Sequence, residues 1–290
     1  MRLVRAELLK IRRRQVTWVL FGVLIAIMAV FFLLVGRTYF SVVGIVEFPQ
    51  TYGLIQQFAF AFGGLFGIVF AAAYVGADWN WGVVRNVVAR GESRARYVLA
   101  KAAALAIVLA IALVIIFLLG ILMALVVGAL SGVPVASPLR GDGLLDLAKW
   151  LVIGYPVLLQ RALIGLFIAV LLRSQLPGAV VGIVLFLGES LLTTILTFAT
   201  YTGGLFDPDN GGLLGFQPAD PQWFQFLPIS MGGNVFSALP GGGGVTSEGG
   251  FQNLLIKPVP LEIALIGIAV YIVASLGLAI VAINRQEIAG

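Results

Sequence analysis

Two ionisable residues, Arg161 and Glu189, stand inside stretches that otherwise hold mostly apolar side chains. Each lies 14 positions from Gln175, one before it and one after. If 173–177 is a tight turn, both sit about 21 Å from it on antiparallel helices, at about 1.5 Å per residue. A lone charge near the bilayer centre costs roughly 2.5–3.5 kcal/mol or more. The spacing therefore predicts a buried ion pair holding the two helices together. A second reading stays open, in which one of the two faces a path through the membrane. Thr193, Thr197 and Thr200 continue outward from Glu189 on one helical face, within roughly 100° of arc that also includes Gly178 and Gly182. The two glycines form a GxxxG, which admits a close neighbouring helix. The polar remainder of that face belongs against protein or a wet cavity.

A second concentration of chemistry is the segment 78–101, DWNWGVVRNVVARGESRARYVLAK. It holds Asp78, Gly82, Arg85, Arg90, Arg94, Arg96 and Lys101, with Trp79 and Trp81 at its start. One reading is an ordinary basic loop anchored by aromatics at the membrane edge. The other is a short helix that docks on a partner.

The composition excludes much else. The chain has no Cys and no His, which removes thiol nucleophiles, disulfides, zinc sites and imidazole acid–base chemistry. No GxxxxGK[ST] phosphate loop occurs. An intramembrane hydrolase would need a Ser–Lys pair, and no Lys is expected within a span, Lys101 being read with the basic segment at the edge of the third stretch. The net charge of +5 reports topology rather than nucleic-acid binding.

These residues need elements to position them. Hydrophobic residues make up 60% of the chain and charged ones 11%, and the mean hydropathy is +1.07. Lipid is the natural solvent for such a chain, with helices of about 20 apolar residues satisfying their own backbone. Six long apolar stretches are read at 16–36, 53–76, 98–130, 150–172, 176–200 and 261–283. The third exceeds what a bilayer needs and is expected to tilt or protrude. The first is too long for a signal-peptide core and reads as an uncleaved span. Lys and Arg crowd one side: the N-terminus, the 78–101 segment, Arg173 and Arg285. The other side receives Arg37, Arg140, Lys149 and Lys257. That asymmetry places both termini in the cytoplasm.

Residues 1–15 read as an amphipathic helix at the membrane surface, with Val4, Leu8 and Ile11 on one face. The outer side carries the long connection 201–260, which contains the Gly241–Gly244 run, read as a flexible turn, and an aromatic part from Pro221. One or two short helices are expected there, on the membrane or dipping into it. Phe58, Phe62, Phe66 and Phe70 form a fourfold stripe, read as lipid-facing or packing surface.

In three patches the sequence resembles the membrane subunits of ATP-binding-cassette transporters of the type-2 exporter class. One is the basic opening RAELLKIRRRQVTWVL. Another is the series Asp78, Gly82, Arg85, Arg94 and Lys101, although Asp78 and Val83 stand where that family more often has Glu and Thr. The last is the ending AINRQEI. The six-helix layout with a long last outer loop is similar too. The resemblance implies an all-α polytopic permease forming a single transmembrane domain. It implies that the 78–101 loop, with Asp78, Gly82, Arg85, Arg90 and Arg94, is the coupling element touching a separate ATPase subunit. It also implies a homodimer, or a heterodimer with a related permease, in the plasma membrane. ATP and Mg would be bound on the partner chain, with no cofactor and no catalytic residue on this one. Two other functions remain open: an ion-gradient-driven carrier with Glu189 as its proton site, and a non-transporting membrane scaffold or sensor.

Overall fold

The computed structural model describes residues 2–39, 50–131, 143–202, 219–239 and 255–286. The chain is an all-α polytopic membrane protein. Its helices are α1 (Arg2–Arg13), α2 (Gln15–Tyr39), α3 (Gln50–Gln56), α4 (Gly63–Asn80), α5 (Val83–Ala89), α6 (Arg94–Ser131), α7 (Gly143–Leu172), α8 (Gln175–Thr202), α9 (Ser230–Ser237) and α10 (Leu261–Arg285). A π-helical stretch, Gln57–Phe62, joins α3 to α4, and a 3₁₀ turn spans Trp223–Phe226. Six helical spans among these are long and apolar enough to cross a membrane, one of them running from α3 through α4.

The spans differ in what surrounds them. α4 and α7 are the interior pair, with 67% of each apolar window buried, against 17–22% for α2, α8 and α10. Small residues make the tight contacts. Gly67 of α4 faces Leu158 and Ala162 of α7, and Gly165 of α7 lies against the backbone of Ile68. Gly178 of α8 approaches Ala169 and Ala72, and Gly182 approaches Ile68, so the GxxxG brings α8 onto α4 and α7 as its spacing suggested. The α7–α8 connection is only Arg173 and Ser174, with Arg173 at φ 53°. That left-handed residue reverses the chain and leaves the two helices antiparallel.

Several sequence expectations shift in detail. The third span begins at Arg94 rather than 98, and Lys101, inside both the predicted stretch and the observed helix, is buried, against the expectation that no span holds a Lys. The phenylalanine stripe does not share one environment: Phe58 is buried and stacked on Phe62, Phe62 is partly exposed, and Phe66 and Phe70 pack against the core. The π-helical turn breaks the fourfold register. The Gly241–Gly244 run lies outside the described residues.

The α9 part of the long connection before the last span seats inside the bundle, while Trp223 and Phe226 are exposed. Met231, Val235 and Phe236 of α9 are buried, and the Phe236 ring lies 4.3 Å from Phe60 and 6.2 Å from Trp150. Gln225, Asn234 and the carbonyl of Pro228 tie the segment to itself and to α7. Asn234 Nδ2 donates to Gln225 O, and Gln160 Nε2 donates to Pro228 O.

Candidate functional site

One end of the bundle gathers α1, α5, the start of α6 and the last residues of α10. Helix α1 is amphipathic as read, with Ile11 buried and Val4 and Leu8 packed on the core. Its buried face also carries Glu7, one turn from Ile11. Tyr74 and Asp78 stand one turn apart at the end of α4, and Tyr97 and Lys101 one turn apart at the start of α6. These three helices converge on Lys101, whose Nζ lies 2.8 Å from Asp78 Oδ2 and 3.1 Å from Glu7 Oε2. Its ammonium also stands 3.9 Å from the centre of the Tyr74 ring.

The carboxylates are fully engaged. Asp78 accepts from Tyr97 Oη at 2.6 Å and Arg14 Nη2 at 3.0 Å, with Lys10 Nζ at 3.5 Å. Glu7 accepts from Lys10 at 2.5 Å and from the Tyr74 hydroxyl. Burial alone would raise the Glu7 carboxyl, but the Lys101 charge and the hydrogen bonds from Lys10 and Tyr74 outweigh it and hold the pKa below the ordinary glutamate value. Arg14 closes the elbow between α1 and α2. It donates to the Tyr74 carbonyl and lies over the Trp81 ring. Thr17 Oγ1 and Trp18 Nε1 donate to the carbonyls of Ile11 and Arg12, satisfying orphan acceptors at the end of α1.

Of the predicted coupling residues, Asp78 does not face outward. It is fully buried and holds α1, α2 and α6 to the end of α4. Arg94 also has an internal role: its Nη1 donates to the carbonyls of Ile283, Asn284 and Gln286, capping the end of α10. What remains outward is the short helix α5 and its flanks. Arg85, Asn86 and Arg90 are exposed, and Gly82 and Gly91 on either side take φ of 66° and 81°. Only glycine adopts those angles without strain, and they bend the chain out of α4 and back into α6.

Half-way along the bundle, Arg161 and Glu189 meet at the backbone of Ile229. Glu189 Oε1 accepts from the N–H of Ile229 at 2.7 Å, the N–H of Ser230 at 2.9 Å and Ser230 Oγ at 3.2 Å. Arg161 Nη2 donates to the Ile229 carbonyl at 3.2 Å, and Nη1 to the Phe60 carbonyl at 2.5 Å. The two charges share the backbone of Ile229, which forms a clasp between α7, α8 and the segment before α9. The Phe60 carbonyl that Arg161 takes lies in the π-helical turn and also accepts the Gly63 N–H. Thr193 and Thr197 are buried against protein, and their hydroxyls donate to the carbonyls of Ser190 and Thr193 in their own helix.

The sequence reading missed Glu7, Lys10, Arg14, Tyr74 and Tyr97. A usable signal was there: Glu7 is the acidic residue of a basic helix, and it falls on the face of Val4 and Ile11 rather than among the arginines.

The model of the ABC-2 family transporter proteins matches residues 3–189. The chain belongs to that family. The match runs from α1 through the 78–101 segment to Glu189, while Ile229, Ser230 and the end of α10 lie beyond it. No individual curated protein matches the chain. As an ABC-2 family membrane protein, the chain has a permease-type role.

Proposed function

We propose that this chain is the permease subunit of an ATP-driven exporter, forming the path for its substrate with a second copy or a related chain. ATP and Mg are bound and hydrolysed on a separate ATP-binding-cassette subunit, which docks on α5. The basic end then faces the cytoplasm, with both termini there, in the plasma membrane.

The observation that carries this reading is the mounting of α5. Its tip offers exposed Arg85 and Arg90, while its two bases are bolted into the spans. Asp78, just before it, is bound to Lys101, Arg14 and Lys10, and Arg94, just after it, is bound to the end of α10. A surface that only marked topology needs no such anchorage. A surface that receives force does, because displacement of α5 reaches α1, α4, α6 and α10 through short, buried, charged contacts.

The test is co-purification of the chain with the ATPase subunit it recruits. Reversing Arg85 and Arg90 to Glu should cut ATPase binding at least tenfold, while the amount of membrane-inserted protein stays within twofold. Unchanged binding would remove the coupling assignment. Transport that persists without ATP and follows a proton gradient would move the function to an ion-driven carrier.

A further inference from the structure

We propose that the cleft beside Arg14 binds the phosphate headgroup of an anionic phospholipid from the leaflet at the basic end. The cleft, of about 60 Å³, opens where the α1–α2 elbow meets α4 and the α7–α8 turn. Arg14, Val16, Thr17, Phe70, Trp81 and Gln175 line it.

Charge is the first argument. The network behind the cleft sets three cations, Lys10, Arg14 and Lys101, against two carboxylates, Glu7 and Asp78. It is left one positive charge in excess, and Arg14, with 15% of its side chain exposed, is the member that forms the cleft wall. Arg12 and Arg13, at the end of α1, are exposed beside the elbow, and Arg173 is exposed two residues before Gln175. No acidic side chain lines the cleft. Basic recesses at the ends of membrane helices suit anionic headgroups in this way.

The apolar wall decides between a lipid and a free anion. From Tyr74, Ala73 and Phe70 continue the cleft along α4 toward the membrane interior. Val16 of α2 and Leu176 and Val180 of α8 flank it with exposed apolar surface. Trp18 and Trp81 are 62% and 68% exposed at the same level, where indole rings sit among headgroups. A soluble phosphate would use only the guanidinium groups. A phospholipid uses both the cations and the apolar groove below them.

The test uses the full-length chain in phosphatidylcholine vesicles doped with brominated lipid, which quenches tryptophan on contact. The emission of Trp81 is taken as the difference between wild type and Trp81→Phe, since the chain has five tryptophans. Brominated phosphatidylglycerol should quench it at about one-tenth the mole fraction needed by brominated phosphatidylcholine, given about 1 kcal/mol per basic residue near the surface. Arg12→Gln, Arg13→Gln and Arg173→Gln together change only exposed side chains and should weaken that preference, Arg14 being left in place. Equal quenching by the two lipids in wild type, or a preference untouched by the triple variant, would overturn the proposal. So would release of the quenching by millimolar inorganic phosphate, which would make the site one for the free anion.

Discussion

Glu189 holds the inserted segment by one carboxylate oxygen, and the strength of that hold can be worked out. Glu189→Gln keeps an oxygen acceptor for the N–H groups of Ile229 and Ser230 but removes the charge. Hydrogen bonds to charged groups contribute about 1.5–3 kcal/mol and neutral ones about 0.5–1.5, a difference of about 1 kcal/mol per bond. Two short backbone bonds therefore put the loss near 2 kcal/mol. Glu189→Leu strands both buried N–H groups, at about 1–3 kcal/mol each, so its loss is about 2–6 kcal/mol. The chain has no cysteine, so a single Val235→Cys reports opening of the segment, because Val235 is fully buried in α9. Where labelling follows the opening equilibrium, 2 kcal/mol raises the rate about 30-fold, at about 1.4 kcal/mol per decade. A thiol reagent should thus react about 30-fold faster in the Gln background, and faster again in the Leu background. A cysteine at Ile268, buried in α10, should keep its parental rate. Labelling of Val235→Cys within twofold of the parent, or an equal rise at both cysteines, would refute the clasp.

The Lys101 junction should behave as a unit. Lys101→Met and Glu7→Gln should each destabilise the protein toward detergent unfolding by about 3 kcal/mol, the lower end for a broken buried pair, since each survivor keeps other partners. The double variant should fall short of the sum by about 1–3 kcal/mol, and additive losses would show that the two do not interact. Because the Glu7 pKa is depressed in the folded protein, its contribution is fully present above the ordinary value of 4.5 and is lost as pH falls below that toward the folded pKa. The stability gap between wild type and Glu7→Gln, followed by melting against pH, should therefore close on acidification and stay constant from pH 6 to 8. Gly165→Ala would drive a methyl into the Ile68 carbonyl and should cost about 1–3 kcal/mol. Gly277→Ala, with open space around it, should not destabilise, and comparison of the two melting curves checks the α4–α7 contact.

The six spans were legible because the bilayer imposes them. Length, hydropathy and the lack of charge leave little choice, and the observed helices overlap every predicted stretch. The GxxxG of α8 was legible for the same reason, since lipid gives glycine no other use at that spacing. The equal depth of Arg161 and Glu189 was legible too, but their relation was not. A pairing rule considers side chains, and here the ligand both charges share is the backbone of Ile229, reached through a Gly-rich connection whose path no periodicity records. Asp78 was assigned to docking through the resemblance of the 78–101 segment, not from its own surroundings. Its partners Lys10 on α1 and Arg14 in the α1–α2 elbow lie more than 60 positions earlier, and such long-range convergence leaves no local pattern. Helix α6 begins at Arg94 rather than at its apolar run for a related reason: Tyr97 and Lys101 look like loop residues until α1 and α4 supply their partners.

The clasp also sets an order of assembly. During synthesis Glu189 emerges 40 residues ahead of Ile229, and Arg161 emerges 68 residues ahead of it. At about 5–20 residues per second, α7 and α8 wait some seconds for the backbone that will hold them. In that interval Arg161 has the Phe60 carbonyl, while the backbone partners of Glu189 are still to come, and the oppositely charged neighbour at the same depth is Arg161. The newborn hairpin is therefore the setting in which Arg161 and Glu189 face each other, before the chain between α8 and α10 arrives to part them.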